Sequence, residues 1–119
     1  MTEGASLTTL ADIQLESARG QSSGRSSVTV YGGRDLALRQ TLIAMVGGQA
    51  LGEHENPGEA TLQVLRGRVR LTAGDEQWEG GVGDHLVIPH ARHDLTALED
   101  AAVLLTVAME KVPPSPSSL

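Results

Sequence analysis

The sequence contains no cysteine and no phenylalanine, and Tyr31 and Trp78 are its only aromatic residues. Without cysteine there is no disulfide framework, no thiolate metal site and no cysteine nucleophile. The hydrophobic core must therefore be aliphatic. The chain also lacks the ~20-residue apolar run that a membrane-spanning helix requires. Its first residues show no basic start followed by an apolar stretch, so we expect no signal peptide and a cytoplasmic protein.

Positive charge is also scarce, with 9 Lys and Arg residues against 15 Asp and Glu and a formal net charge of −6. Lys111 is the single lysine. A net negative charge disfavours nucleic acids and anionic membranes as partners. There is no glycine-rich phosphate loop followed by lysine, and no Gly-x-Ser-x-Gly elbow. We therefore expect neither a nucleotide nor a flavin cofactor, and neither phosphoryl-transfer nor serine-hydrolase chemistry.

The length of 119 residues allows one domain with a modest core. Apolar spacing over 7–19 predicts one short helix, with Ser6 or Thr8 as the N-cap and Gly20 as its end. A polar Ser/Gly loop over 21–27 follows. We divide the chain into three parts: 1–27 with the helix and loop, 28–111 as a β-barrel domain, and 112–119 as a Pro/Ser-rich flexible tail.

The middle of the chain is a series of short segments with β-strand character, separated by Gly, Pro and Asp turns. The alternation of apolar residues over 36–46 predicts a strand with two distinct faces. A hairpin is expected around Gly74 and Asp75, with arms 61–71 and Trp78. Further strands are predicted at 28–31, 95–98 and 103–107, and a short buried strand is predicted at 86–88. This pattern indicates an all-β fold, a small antiparallel sandwich or barrel with a short N-terminal helix.

Two segments on either side of this hairpin have a characteristic spacing. The first reads Gly48-x5-His54-x-Asn56-x3-Ala60-x6-Gly67, and the second reads Gly83-Asp84-x4-Pro89-x-Ala91-x-His93-x3-Ala97. In these segments the sequence resembles the cupin superfamily, as a small single-domain cupin of the cupin 2 type. The match in register comprises Gly48, His54, Gly67, Gly83 and Pro89.

The resemblance implies a jelly-roll barrel, a homodimer and a divalent metal such as Zn, Fe, Mn or Ni, held in the family by three His and one Glu. This sequence departs from that ligand set. Asn56 stands where the family has its second His, Ala60 replaces the Glu, and Ala97 replaces the final Asn. The loop before His93 is also one residue shorter. Only His54 and His93 keep ligand positions.

Several roles remain open for these residues. His54 and His93 are predicted to converge inside the barrel, either as metal ligands completed by Asn56, His90 or water, or as hydrogen-bonding anchors for a small molecule. Asn56 also starts an Asn-Pro-Gly turn, which is sufficient to explain it. His90 is alternatively an exposed loop residue.

The charged residues near the two motifs and the remaining histidine, His85, are interpreted as structural and not as ligands. Glu59 adjoins Ala60, but strand alternation predicts that it points to the opposite face. His85 is expected at the surface. A row of arginines, formed by Arg66, Arg68 and Arg70, is interpreted as a solvated face paired with acids across the hairpin.

Arg39 and Gln40 lie side by side in the alternating strand, so one of them should face the barrel interior. A buried Arg needs an anionic partner, and a bound carboxylate ligand is one candidate. We therefore include both residues among the predicted ligand-binding positions.

Three functions are compatible with the sequence. The first is a barrel that binds a small molecule, anchored by His54 and His93. The second is a metal-dependent oxygenase, isomerase or lyase acting on a small acid or sugar-like substrate. The third is a structural or regulatory interaction domain without cavity chemistry. Whether the protein is an enzyme is left open.

Overall fold

The computed structural model describes residues 3–55 and 58–108, in which one helix precedes eight strands. The elements are α1 Leu7–Arg19, β1 Arg25–Tyr31, β2 Leu38–Met45, β3 Glu59–Arg66, β4 Arg68–Ala73, β5 Glu76–Gly81, β6 His85–Val87, β7 Asp94–Ala97 and β8 Ala101–Ala108. The predicted tail over 112–119 lies outside the described residues. In the part of the chain that is described, no helix is long and apolar enough to cross a bilayer.

The helix spans the predicted residues. Ser6 has extended backbone angles, and its side-chain oxygen accepts a hydrogen bond from the Thr9 N–H, which makes Ser6 the N-cap. Gly20 ends the helix, as predicted. The buried residues Ala11, Leu15 and Ala18 recur at the spacing that places side chains on one helical face.

The strands form two antiparallel sheets. One sheet has the order β1-β2-β8-β3-β6, and the other has the order β5-β4-β7. An aliphatic core lies between them, with side chains from both sheets. Its largest fully buried members are Met45, Leu62, Val64, Val69 and Val103. The predicted all-β fold of jelly-roll type with a short N-terminal helix is confirmed.

Strand β2 is covered on both faces, as its sequence alternation predicts. Leu42 and Ala44 pack against α1, whereas Met45 and Ile43 contribute to the core between the sheets. Successive strand residues point to opposite faces, so the same strand serves two cores. The second core, under the helix, also contains Leu65, Ala102 and Leu104 from the neighbouring strands.

Gly67 marks the point where the chain passes from one sheet to the other. Its φ of +70° is in the region that favours glycine, and a Cβ there would collide with the Asp100 carbonyl oxygen. The first arm of the predicted hairpin is therefore interrupted, because 61–71 belongs to two strands. The hairpin itself joins β4 to β5 through Gly74 and Asp75, with Ala73 opposite Glu76.

Three local predictions are wrong. Strand β1 begins at Arg25 instead of Val28, because 25–27 pair with β2 through the main chain. The segment 86–88 is not buried as a unit. It contributes to β6, which pairs only with β3 at the edge of its sheet, and Val87 is 69% exposed. Arg66 forms an ion pair with Asp12 of the helix, since Gly67 separates it from the hairpin.

Candidate functional site

His54 and His93 lie side by side in the barrel. The backbone N–H of each donates to the carbonyl oxygen of the other, and both N···O distances are 3.0 Å. Their ring centroids are 4.4 Å apart at an interplanar angle of 64°. His93 is buried and His54 is half-buried. The convergence predicted from the two motifs is therefore present in the structure.

The Nδ1 atom of each ring is held by a carbonyl two residues earlier. The distance is 2.9 Å from His54 to the Gly52 oxygen and 2.8 Å from His93 to the Ala91 oxygen. A carbonyl oxygen only accepts, so each Nδ1 carries the proton and donates it. In the neutral ring, the lone pair then resides on Nε2. The pair thus presents two acceptors whose tautomers are set by the backbone.

Aliphatic side chains enclose the imidazole pair. The space that the two rings share with them measures about 10 Å³, enough for a group of about the size of one water molecule. Sites for drug-sized ligands typically measure about 300–1,000 Å³. Besides the two histidines, its walls are Ile43, Leu51, Leu62, Leu71, Ile88, Leu95 and Leu105. We call this space the imidazole cavity.

His90, the other predicted metal ligand that the structure describes, does not join the pair. It is exposed and does not line the imidazole cavity. Asn56 lies outside the described residues. Ala60 is buried in the core, and Glu59 is exposed on the opposite face of β3, as strand alternation predicts. His85 is exposed on β6, also as predicted.

Among the described residues, the donors that come together are too few to hold a resident metal ion. Over 3–55 and 58–108, no group of three His, Cys, Asp or Glu side chains is placed to hold a metal. Catalytic zinc sites use three protein ligands, and structural zinc sites use four. Two imidazoles alone are one ligand short of the smaller set. We therefore derive no metal-dependent step from these residues.

Arg39 and Gln40 point to opposite faces of β2. Arg39 pairs in register with Val107, a core residue, but it lies at the strand end and is exposed. Gln40 lies on the helix side of the sheet and donates to the Thr106 hydroxyl at 3.2 Å. Neither residue lines the imidazole cavity. Of the two residues, Arg39 shares the strand face of the core residues Ile43 and Met45, but it is exposed, so it is not a buried Arg that needs an anionic partner.

Sequence reasoning missed the two carbonyls and the two aliphatic wall residues Ile43 and Leu51. The carbonyls belong to the backbone, so no side-chain pattern marks them. The glycine at position 52 is a sequence signal for one of these carbonyls. Its φ of +92° is in the region that favours glycine, and its own carbonyl oxygen accepts the hydrogen bond from His54.

No protein-family model matches the sequence, and no curated protein matches it. Solved structures do. A conserved protein of unknown function from Streptococcus pyogenes has a TM-score of 0.71 at 24% identity, over 94% of this chain and 91% of that one. An RmlC-like cupin protein from Desulfovibrio desulfuricans has a TM-score of 0.62 at 26% identity, over 71% and 81%. A cupin superfamily protein from Desulfitobacterium hafniense has a TM-score of 0.66 at 18% identity, over 72% and 78%. The chain therefore has the cupin fold.

Proposed function

We propose that the protein binds a small molecule through the imidazoles of His54 and His93, which accept hydrogen bonds from a hydroxyl or amine group of the ligand. The observation that carries this proposal is the pair of Nδ1–H···O=C bonds. They direct the acceptor function of both rings to Nε2.

The surroundings of the pair favour a donor of small size. Among the described residues, neither Nε2 has a hydrogen-bond partner, and the walls of the imidazole cavity are aliphatic. No side-chain nitrogen or oxygen of the described residues is both buried and without a partner, so an Nε2 atom that lacks a protein donor is accessible to solvent or to a ligand. A volume of about 10 Å³ admits one hydroxyl or amine group and excludes the body of a metabolite.

The test is an NMR titration of protein labelled with ¹⁵N at histidine, using glycerol, glucose and methylammonium chloride as probes. We expect the Nε2 signals of both rings to shift with at least one probe and the melting temperature to rise, since binding stabilises the native state. His54→Ala and His93→Ala should abolish both effects. His85→Ala, which removes an exposed ring from β6, should retain them. Unchanged Nε2 signals with all three probes would contradict the proposal.

A second candidate is an interaction domain without cavity chemistry. The small volume of the imidazole cavity favours it, because about 10 Å³ is far below an ordinary ligand site. This function predicts that His54→Ala leaves the biological phenotype unchanged when the folded protein is present at normal levels. Loss of the phenotype in that variant favours the binding function.

The homodimer, the metal-dependent enzyme and the cytoplasmic location stay predictions from the sequence. Sedimentation equilibrium measures the first. Elemental analysis of purified protein, repeated on His54→Ala, tests the second. Protein that contains no divalent metal and binds none when it is added would contradict the metal-dependent function.

A further inference from the structure

A second space, on the inner face of β1 and β2, has the size of a small-ligand site. It measures about 350 Å³ and is lined by Arg25, Ser26, Ser27, Thr41, Ile43 and Leu51. We call it the Arg25 cleft. Ile43 and Leu51 also line the imidazole cavity, so the two spaces are neighbours with shared walls. None of the motif residues identified in the sequence lines it.

The guanidinium of Arg25 is positioned by the backbone. Its NH1 atom donates to the Ala50 carbonyl oxygen at 2.9 Å. Arg25 pairs in register with the core residue Met45, which places its side chain on the inner face of the sheet. One of the five N–H donors of the guanidinium is thus used, and the other donors remain available to a ligand.

Arg25 also differs from the arginines that have acidic partners. Arg19, Arg66, Arg70 and Arg92 each have a carboxylate oxygen within 4.0 Å. Over the described ranges, Arg25 has no such partner. A guanidinium that lines a cleft without a protein carboxylate is a ready partner for a ligand carboxylate.

Two hydroxyl groups complete the polar wall of the Arg25 cleft. Ser27 lies opposite Ile43, which packs against the core between the sheets, and Thr41 lies two residues before Ile43 in β2. The side chains of Ser27 and Thr41 therefore share the inner face of the two strands. Neither hydroxyl has a hydrogen-bond partner among the residues described. The cleft therefore combines one cation, two hydroxyls and an aliphatic wall.

We infer that the Arg25 cleft binds a small monocarboxylate, with the hydroxy acids as the best-fitting class. The Arg25 fork binds the carboxylate, Ser27 and Thr41 meet the carboxylate or the hydroxyl group, and Ile43 and Leu51 cover the carbon skeleton. One guanidinium matches one negative charge. A phosphate dianion would require more positive charge than the cleft offers, in a chain of net charge −6.

The negative net charge does not exclude a monoanion. At physiological ionic strength, exposed charges are screened over about 8 Å, so the groups that touch the ligand decide its binding. The site is independent of the proposed function, because it uses none of the imidazole atoms.

The experiment is an NMR titration that follows the methyl signal of Thr41 and the backbone amide signal of residue 27, because both positions line the Arg25 cleft and neither lines the imidazole cavity. Glycolate is the probe, ethylene glycol is its uncharged counterpart, and inorganic phosphate is the competing anion. We expect glycolate to shift both signals in a saturable manner and ethylene glycol to have no such effect. Arg25→Gln should raise the Kd for glycolate at least about tenfold, since it removes a charged hydrogen-bond donor. Arg34→Gln, which removes an exposed arginine outside the cleft, should leave the Kd unchanged.

Two further variants distinguish a loss of glycolate binding from unfolding of the protein and from failure of the proposed function. Ser27→Ala should weaken glycolate binding while the guanidinium is still present, which keeps the test valid if Arg25→Gln unfolds. His54→Ala should bind glycolate as the wild type does, so the two proposals fail independently. Equal glycolate affinity in Arg25→Gln and wild type, or tighter binding of phosphate than of glycolate, would overturn the inference.

Discussion

His54 and His93 exchange two backbone hydrogen bonds of 3.0 Å, and each ring is tied to a carbonyl two residues earlier in its own segment. The main chain therefore fixes both the separation of the rings and the nitrogen that carries each proton. The two histidines are held by the same backbone contacts but differ in burial, since the His93 ring is buried and the His54 ring is half-buried.

We expect His93→Ala to lower the free energy of unfolding by about 1–3 kcal/mol, because the ring is 2% exposed and its removal leaves the Ala91 carbonyl without its donor. His54→Ala should have a smaller effect, since that ring is half-buried. Urea denaturation measures both. The exposed His85→Ala is the control, with a change within about 0.5 kcal/mol. Equal effects at positions 54 and 93 would contradict the difference in burial.

Gly67→Ala should lower the free energy of unfolding by about 2–4 kcal/mol, because a positive φ is combined with a collision against the Asp100 backbone. Gly74→Ala is the matched control. Its φ is also positive, but its Cβ would meet open space at the hairpin turn, so we expect a loss of about 1 kcal/mol. Thermal and urea unfolding of both variants check the difference. A loss at Gly67 no larger than at Gly74 would show that the strand crossing relaxes easily.

The stability of the protein should fall in acid partly through Asp100. The hydrogen bond from the Gly47 N–H, and then that from Arg19, hold the pKa of the Asp100 carboxyl below its ordinary value of 3.8. A lowered folded-state pKa stabilises the native state above pH 3.8, and this contribution is lost as the pH falls through the folded-state pKa.

Asp100→Asn should therefore be less stable than wild type at neutral pH, and the difference should narrow below pH 3.8. Urea denaturation across this range measures the convergence. Asp75→Asn at the exposed hairpin turn is the control. A stability difference that stays constant from neutral pH to strong acid would contradict the role of the charged carboxylate.

Ser6→Ala should lower the free energy of unfolding by about 1 kcal/mol, because the Thr9 N–H loses its acceptor at the start of α1. Thr8→Ala is the control, since Thr8 is inside the helix and does not accept from that N–H. Thermal unfolding distinguishes the two variants. An equal loss of stability in Thr8→Ala would show that Ser6 is not the N-cap residue of α1.

The features of the fold that could be predicted are those that depend on residues close together in the sequence. Helix ends depend on adjacent residues, and the limits at Leu7 and Arg19 were therefore accessible from the sequence. The two faces of β2 follow from its alternation. The start of β1 at Arg25 was not accessible, because polar residues such as Ser26 take strand geometry here only through pairing with Ala44.

The sequence by itself determined an aliphatic core, a cupin-like strand series and the two motif histidines that converge. Only the tertiary structure decided how little space surrounds those rings, which carbonyl oxygens accept hydrogen bonds from them and where Arg25 lies. The physical reason is distance along the chain. Periodicity and spacing act between near neighbours, whereas cavity volume and hydrogen-bond partners depend on side chains from separate strands that meet only when the two sheets pack.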